Sequence, residues 1–312
     1  MKNLIITLIA MIVCVQLKAQ ELPQLNSYMY NQYVYNPASG GMYDTDFNAG
    51  FATRVQWTGV SGAPITGFAW ADHRFRKNSM SAGLAMAYDQ IAFRRFTDIA
   101  ANYTYIVRLT NKLKLSMGLR AGMTTLQWNP ENGKVWDNGD VLANQYTMSY
   151  PKFGTGFQLY TRKFYVSLGV PDIATFNNDA NAPDKGKNFF QKNRNYILMS
   201  GYRFKLSDAF GLYPNIKVFY YQGPTVTAPR VDGSMLFEII DYFWAGANYA
   251  STGQLAAMAG TYVSSRVRFM YAYEFPLKPV AGSSVPLNVH EVNLFLQLDD
   301  LFARKNKTDI VE

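Results

Sequence analysis

The chain has 312 residues but only one cysteine, Cys14, and two histidines, His73 and His290. Cys14 lies within a stretch of signal-peptide character. Lys2 precedes an apolar run over residues 4–15, and Leu17-Lys18-Ala19 closes it, so cleavage is expected before Gln20. The mature chain is then expected to hold no disulfide, no thiol nucleophile and no thiolate metal site. A lipoprotein reading would use Cys14, but Val13 stands where a small residue is normally needed. The two histidines come without a Gly-x-Ser-x-Gly elbow, a His-x-x-x-His pair or clustered acids. Catalysis needs a full constellation, so His73 and His290 read as polar residues at strand ends rather than as an enzyme's site. No cofactor or metal motif is found.

Long apolar runs are also missing. Beyond the leader nothing is long enough to cross a bilayer as a helix, so a membrane-spanning mature chain would have to use closed strands. A nucleic-acid partner is excluded on distribution. The formal charge of +8 falls to +6 once Lys2 and Lys18 leave with the leader, and the cations are scattered one or two per strand. What the chain has in quantity is aromatic residues, 15% of the total and mostly Tyr and Phe. That content suits the two interfacial girdles of a barrel, although a soluble all-β chain can share it.

The patterning is of period two. Over residues 112–126, Leu113, Leu115, Met117, Leu119, Ala121 and Met123 fall on one face, with Lys112, Lys114, Ser116 and Arg120 on the other. One face therefore meets an apolar environment and the other a wet one. Residues 99–109, 266–275 and 291–298 repeat the alternation, with Arg108, then Arg266, Arg268 and Glu274, then Glu291 and Asn293 on the polar side.

Fourteen strands are predicted, at roughly residues 45–56, 64–74, 79–88, 95–108, 112–126, 151–161, 163–170, 193–205, 210–221, 229–239, 241–250, 253–262, 265–275 and 286–298. Their connections alternate short and long. The long ones fall at residues 127–150, 171–192, 222–228 and 276–285, and the connection at Ser251-Thr252 is also short. An even strand count with this alternation predicts an all-β fold: a single transmembrane antiparallel β-barrel with short periplasmic turns and longer outer loops. The expected organisation is a signal peptide at 1–19, a periplasmic lead-in or plug at 20–44, the barrel at 45–298 and a periplasmic tail at 299–312. Tyr28, Tyr30, Tyr33 and Tyr35 would give a plug its bulk.

Two readings of the lumen charges stand side by side. Lys112, Lys114, Arg120, Arg266 and Arg268 either make an anion-selective pore or pair with acids across a wet lumen. In the long loops, Asp137-Asn138-Gly139-Asp140 lacks the twelve-residue spacing and closing Glu of a calcium loop. Asp137, Asp140, Asp179 and Asp184 read as turn residues.

Two segments carry a family resemblance. The mature start runs through Pro23-Gln24, Tyr28-Met29-Tyr30-Asn31 and Asn36-Pro37-Ala38. A second segment carries Arg54-Val55-Gln56-Trp57, then Gly62-Ala63-Pro64 and His73, with a weaker echo at His290-Glu291-Val292. These resemble the PorP/SprF family of Bacteroidota outer-membrane proteins. Ser61, where the family often has an acid, and the lack of a terminal aromatic in the last strand depart from its pattern. The resemblance implies a non-enzymatic role in type IX secretion, at the outer membrane and among its lipids. It supports export or surface attachment of particular cargo proteins, gliding adhesins included. The implied partners are a secreted cargo protein and other secretion components. A porin or ligand-conducting channel is the alternative. The candidate partner-contact positions are Tyr28, Asn31, Asn36, Pro37, Trp57, Gly62 and Pro64. Each also has a structural reading: Pro37 ending the lead-in, Trp57 anchoring depth at the outer end of the first strand, Gly62 and Pro64 shaping the first outer hairpin.

Overall fold

Burial alternates along the strands in a sense opposite to that of a soluble sheet. Leu84, Leu119, Met123, Ile99, Phe157, Leu198 and Phe237 point outward and are exposed, whereas Thr66, Asp98, Ser116, Arg120, Lys217, Asp232, Glu291 and Asn293 are buried on the inner face. An outward apolar band around a polar interior belongs to a barrel set in lipid. The computed structural model describes residues 24–43, 45–75, 79–129, 145–175, 194–222, 228–239, 242–277 and 288–298. Among these, no helix is long and apolar enough to cross a membrane.

Fourteen antiparallel strands form the wall. They are β1 (Phe47–Gln56), β2 (Ile65–Phe75), β3 (Met80–Ile91), β4 (Arg94–Arg108), β5 (Lys114–Trp128), β6 (Tyr146–Tyr160) and β7 (Phe164–Thr175). Then come β8 (Arg194–Tyr202, resumed after Arg203 at Phe204–Lys205), β9 (Phe210–Gln222), β10 (Arg230–Ile239) and β11 (Phe243–Ala250). The last three are β12 (Gln254–Tyr262), β13 (Val267–Pro276) and β14 (Val289–Leu298). Each strand pairs with its sequence neighbours, and β14 returns to β1 from Phe47↔Leu298 to Gln56↔Val289. Closure removes the unpaired edges that an open sheet would present to lipid.

The strand count and the parity of the connections agree with the sequence reading, but several boundaries move. β3 and β4 run on to a two-residue turn, because Asp89 and Gln90, turn-like in composition, pair with Phe96 and Arg95. β6 begins at Tyr146, inside the stretch read as a loop, since Tyr146–Tyr150 completes the ladder with β5. β7 continues past Pro171 to Thr175. The register shifts between Phe153 and Thr155 of β6, and a bulge is where a strand tolerates a residue without an N–H. Beyond Gly169↔Ile197 the β7–β8 ladder stops, and Asp172 bridges the gap by accepting from Asn195 N at 3.3 Å and Asn195 Nδ2 at 2.7 Å. The leader at 1–19, the tail at 299–312, and Asp137, Asp140, Asp179 and Asp184 lie outside the described residues.

Candidate functional site: a segment bonded around the inner wall

Ahead of β1, residues 24–41 are buried throughout. They include a one-turn helix, α1 (Gln32–Tyr35), and a 3-10 turn (Pro37–Ser39). The segment's partners come from β1's neighbours on both sides and from the far wall. Asn26 and Ser27 reach β14, Tyr28 reaches β10, Asn31 reaches β2 and β14, and Asn36 to Ser39 reach β4, β5 and β6. A peptide that touches a closed ring on all sides lies inside it.

Three clusters of buried charge hold the segment, and each one reaches its backbone. In the first, Arg54 donates Nη1 and Nη2 to the two oxygens of Glu274, both at 2.9 Å, with Glu291 Oε2 3.9 Å from Nη1. Glu274 also accepts from Asn26 Nδ2 at 2.8 Å, and Glu291 accepts from Asn26 N at 2.8 Å and Ser27 N at 3.0 Å. In the second, Asp98 pairs with Arg120 at 2.7 Å and Lys152 at 3.0 Å, while Arg120 Nη1 donates to Val34 O at 2.8 Å. In the third, Asp232 pairs with Lys217 and Arg230, each at 2.8 Å, and Lys217 lies 4.8 Å from the ring centre of Tyr28 and 5.4 Å from that of Tyr35. Buried charges are tolerable only when paired and hydrogen-bonded this fully. In the inner segment, burial holds the phenols of Tyr28 and Tyr35 well above their ordinary range, so they serve as neutral groups.

Close approach is arranged by glycine. Gly118, Gly156 and Gly169 are register partners across β5, β6 and β7, forming a row on the inner wall. A Cβ at Gly118 would overlap the backbone of Pro37 and Ala38, at Gly156 the side chain of Asn36, and at Gly169 the carbonyl of Tyr35. The row is a flat bed for residues 35–38.

The sequence-predicted positions divide into two groups. Tyr28, Asn31, Asn36 and Pro37 are buried in the inner segment and tie it down. Tyr28 Oη meets Ser234 Oγ at 3.2 Å. Asn31 Nδ2 donates to Asn293 at 3.1 Å while its Oδ1 accepts from Trp70 Nε1 at 3.0 Å. Asn36 Nδ2 donates to Phe157 O at 3.1 Å and its Oδ1 caps the 3-10 turn through Ala38 N at 2.8 Å. Pro37 opens that turn, and its carbonyl accepts from Thr104 at 2.6 Å. Trp57, Gly62 and Pro64 lie apart, in the β1–β2 connection at the long-loop rim. Trp57 has φ +51° and donates its N–H to Asn288 O at 2.8 Å, and Gly62 has φ +74°. Their contacts are those of a shaped hairpin at the wall's end.

The lumen cations separate in the same way. Arg120 is paired, Arg268 lies against the rings of Tyr30 and Tyr262, Arg266 is exposed in a turn, and Lys112 and Lys114 line the short-turn mouth. His73 and His290 face outward near opposite ends of β1's neighbours. His73 makes an edge contact with Phe75, and His290 lies 2.7 Å from Tyr271 Oη. Among the described residues no group of acids, histidines or cysteines could hold a metal.

A closed, lipid-facing barrel with an occupied lumen defines a membrane protein of the outer-membrane barrel class. The family model for the type IX secretion system membrane protein PorP/SprF matches residues 17–295, and the chain belongs to that family. This is a family of secretion membrane components, not of enzymes. No curated protein matches the sequence. Among solved structures, the monoaromatic hydrocarbon channel CymD has a TM-score of 0.54 at 13% identity, over 90% of this chain and 95% of that one. The Ralstonia pickettii toluene transporter TbuX gives 0.52 at 9%, over 84% and 92%, and the P. putida toluene transporter TodX gives 0.50 at 11%, over 86% and 94%. At such identities the likeness is one of fold.

Proposed function

We propose that this barrel supports the secretion or surface attachment of specific cargo proteins, surface adhesins of gliding cells among them, without catalysing a reaction. On this reading residues 1–19 are removed on export and residues 20–44 form a plug. The long loops, with Trp57, Gly62 and Pro64 at their rim, face the exterior and meet cargo. The short-turn rim faces the periplasm and meets other secretion components, and lipid surrounds the wall. Family membership supports the pathway. The observation that supports an interaction protein over a pore is the inner segment, buried over residues 24–41 and bonded to strands on several sides of the wall, in the lumen that a solute would have to use.

The test is surface proteomics of a deletion strain complemented with wild type or with Tyr28→Ala, Asn31→Ala or Trp57→Ala. The expected result is loss of one or a few large surface proteins with near-normal growth and permeability. An unchanged surface proteome alongside lost uptake of a small solute would favour a ligand-conducting channel, the second reading, which draws on the fold shared with hydrocarbon channels. Restoration of cargo by all three variants would keep the function and show that it depends neither on the ties at Tyr28 and Asn31 nor on Trp57 at the rim.

A further inference from the structure

The inner segment descends the lumen from one mouth to the other. At its leading end Asn26 bonds to Glu291 of β14, Glu274 of β13 and Asn248 of β11, each near the long-loop end of its strand. Further along, Val34 O accepts from Arg120 Nη1 at 2.8 Å, and Arg120 stands near the middle of β5. At the trailing end Ala38 O accepts from Ser116 Oγ at 2.6 Å, and Ser39 Oγ donates to Gln158 Oε1 at 2.7 Å, near the short-turn ends of β5 and β6. Gly41 N donates to Asp72 Oδ2 at 2.8 Å, and Tyr43 O accepts from Arg74 Nη1 at 3.2 Å, near the short-turn end of β2. Met42 lines that mouth. The segment also crosses the ring: residues 25–28 bond to β9, β10, β11, β13 and β14, and residues 36–43 to β2, β4, β5 and β6.

A chain of internal bonds joins the two ends. Leu25 N donates to Tyr35 Oη at 3.0 Å, Asn31 Nδ2 to Ser27 Oγ at 3.0 Å and Gln32 Nε2 to Met29 O at 3.1 Å. Asn36 N then donates to Gln32 O at 2.8 Å, and Ser39 N to Asn36 O at 3.1 Å. Tyr35 is the strut between the halves. Its hydroxyl holds the leading end, and its own carbonyl lies against Gly169, on the glycine bed that carries the trailing end. Lifting residues 24–28 alone breaks the Leu25–Tyr35 and Ser27–Asn31 bonds among buried groups, whereas lifting the segment as one body keeps both. We propose that residues 24–41 are a strap that carries a state between the two mouths, so that unseating one end unseats the other. A partner that draws the leading end toward the long loops thereby frees the short-turn mouth at Met42 and Tyr43. A partner at the short-turn mouth acts on the long-loop side in return, since such coupling is reciprocal. Which mouth meets cargo and which meets secretion components rests on the functional reading above; the coupling itself does not.

The experiment uses the purified full chain in detergent and hydrogen exchange read by mass spectrometry on peptides covering residues 24–31 and 36–41, with peptides from β4 and β5 as reference. Asn248→Ala removes one tie at the leading end, and Ser116→Ala removes one at the trailing end. Each is expected to raise exchange about tenfold in both peptides, the scale of one buried hydrogen-bond partner lost. With Tyr35→Phe added, each rise should stay at the end that carries the change. A rise confined to the altered end while Tyr35 is present overturns the proposal in favour of two halves that peel independently. An equal rise in β4 and β5 overturns it in favour of an opening ring, and no rise at either end overturns it as well. Full transfer between the ends in the Tyr35→Phe background overturns the assignment of the strut. Every arm uses the isolated protein without cargo, so failure here leaves the secretion reading standing, and failure of that reading leaves the strap standing.

Discussion

Replacing Glu291 by alanine should release the start of the inner segment while leaving the wall intact. Glu291 is fully buried and accepts from the backbone N–H groups of Asn26 and Ser27. Its loss strands those two buried donors, at about 1–3 kcal/mol each. Arg54 keeps its bidentate pair with Glu274, so no bare cation is added to the cost. A total of about 3 kcal/mol corresponds to roughly a hundredfold rise in the opening equilibrium of residues 24–31. Hydrogen exchange read by mass spectrometry on peptides from this segment measures that ratio, with peptides from β4 and β5 as the internal reference. Glu291→Gln keeps an acceptor and should show a smaller rise. Unchanged exchange at residues 24–31, or an equal rise across all strands, would refute the assignment of Glu291 as the anchor.

Bulk on the glycine row should act at the other end. Gly118→Leu or Gly156→Val is expected to raise exchange at residues 35–38 and to raise single-channel conductance while the barrel stays closed, as a difference in gel migration between unboiled and boiled samples would report. Arg120→Met should destabilise the barrel by about 3–5 kcal/mol, because among the described residues Asp98 keeps only Lys152 as counter-charge, beside the Thr124 hydroxyl at 3.2 Å, and denaturant titration of the purified protein measures it. Tags inserted within residues 130–144 or 176–193 should be reached by antibody on intact cells, and a tag after Glu312 only once the outer membrane is opened; the opposite pattern would invert the barrel. The mature N-terminus, read by mass spectrometry, is expected at Gln20, in the carbonate-resistant outer-membrane fraction.

The strand number was legible because period-two alternation survives in strands whose two faces meet lipid and lumen. Its boundaries were less so. Asp89, Gln90 and Pro171 have turn-like chemistry yet sit in the wall, where ladder partners outweigh local preference. The family-motif residues were found, but not their task. Asn31 and Asn36 are known as ties only once Asn293, Trp70 and Phe157 are placed around them, and those partners are far away in sequence. Arg54, Glu274 and Glu291 carried a signal that was partly readable, inward parity near the ends of three strands. The glycine row at 118, 156 and 169 becomes visible only when the register aligns three strands.

The position of the first ionic cluster bears on how the barrel is made. β1 and β14 are the first and last strands of the wall, and Arg54 and Glu291 are register partners across the seam that closes it. Asn26 and Ser27, which precede every strand in the chain, bond to Glu291, and Asn31 bonds to Asn293 on the same strand. A part of the chain made before any strand of the wall thus binds the last of the fourteen strands from within. A chain lacking a correctly placed last hairpin leaves Arg54 short of its carboxylates and the inner segment short of its anchor. Ring closure and lumen filling therefore share the same bonds, and opening the β1–β14 seam is expected to unseat residues 26–31 as well.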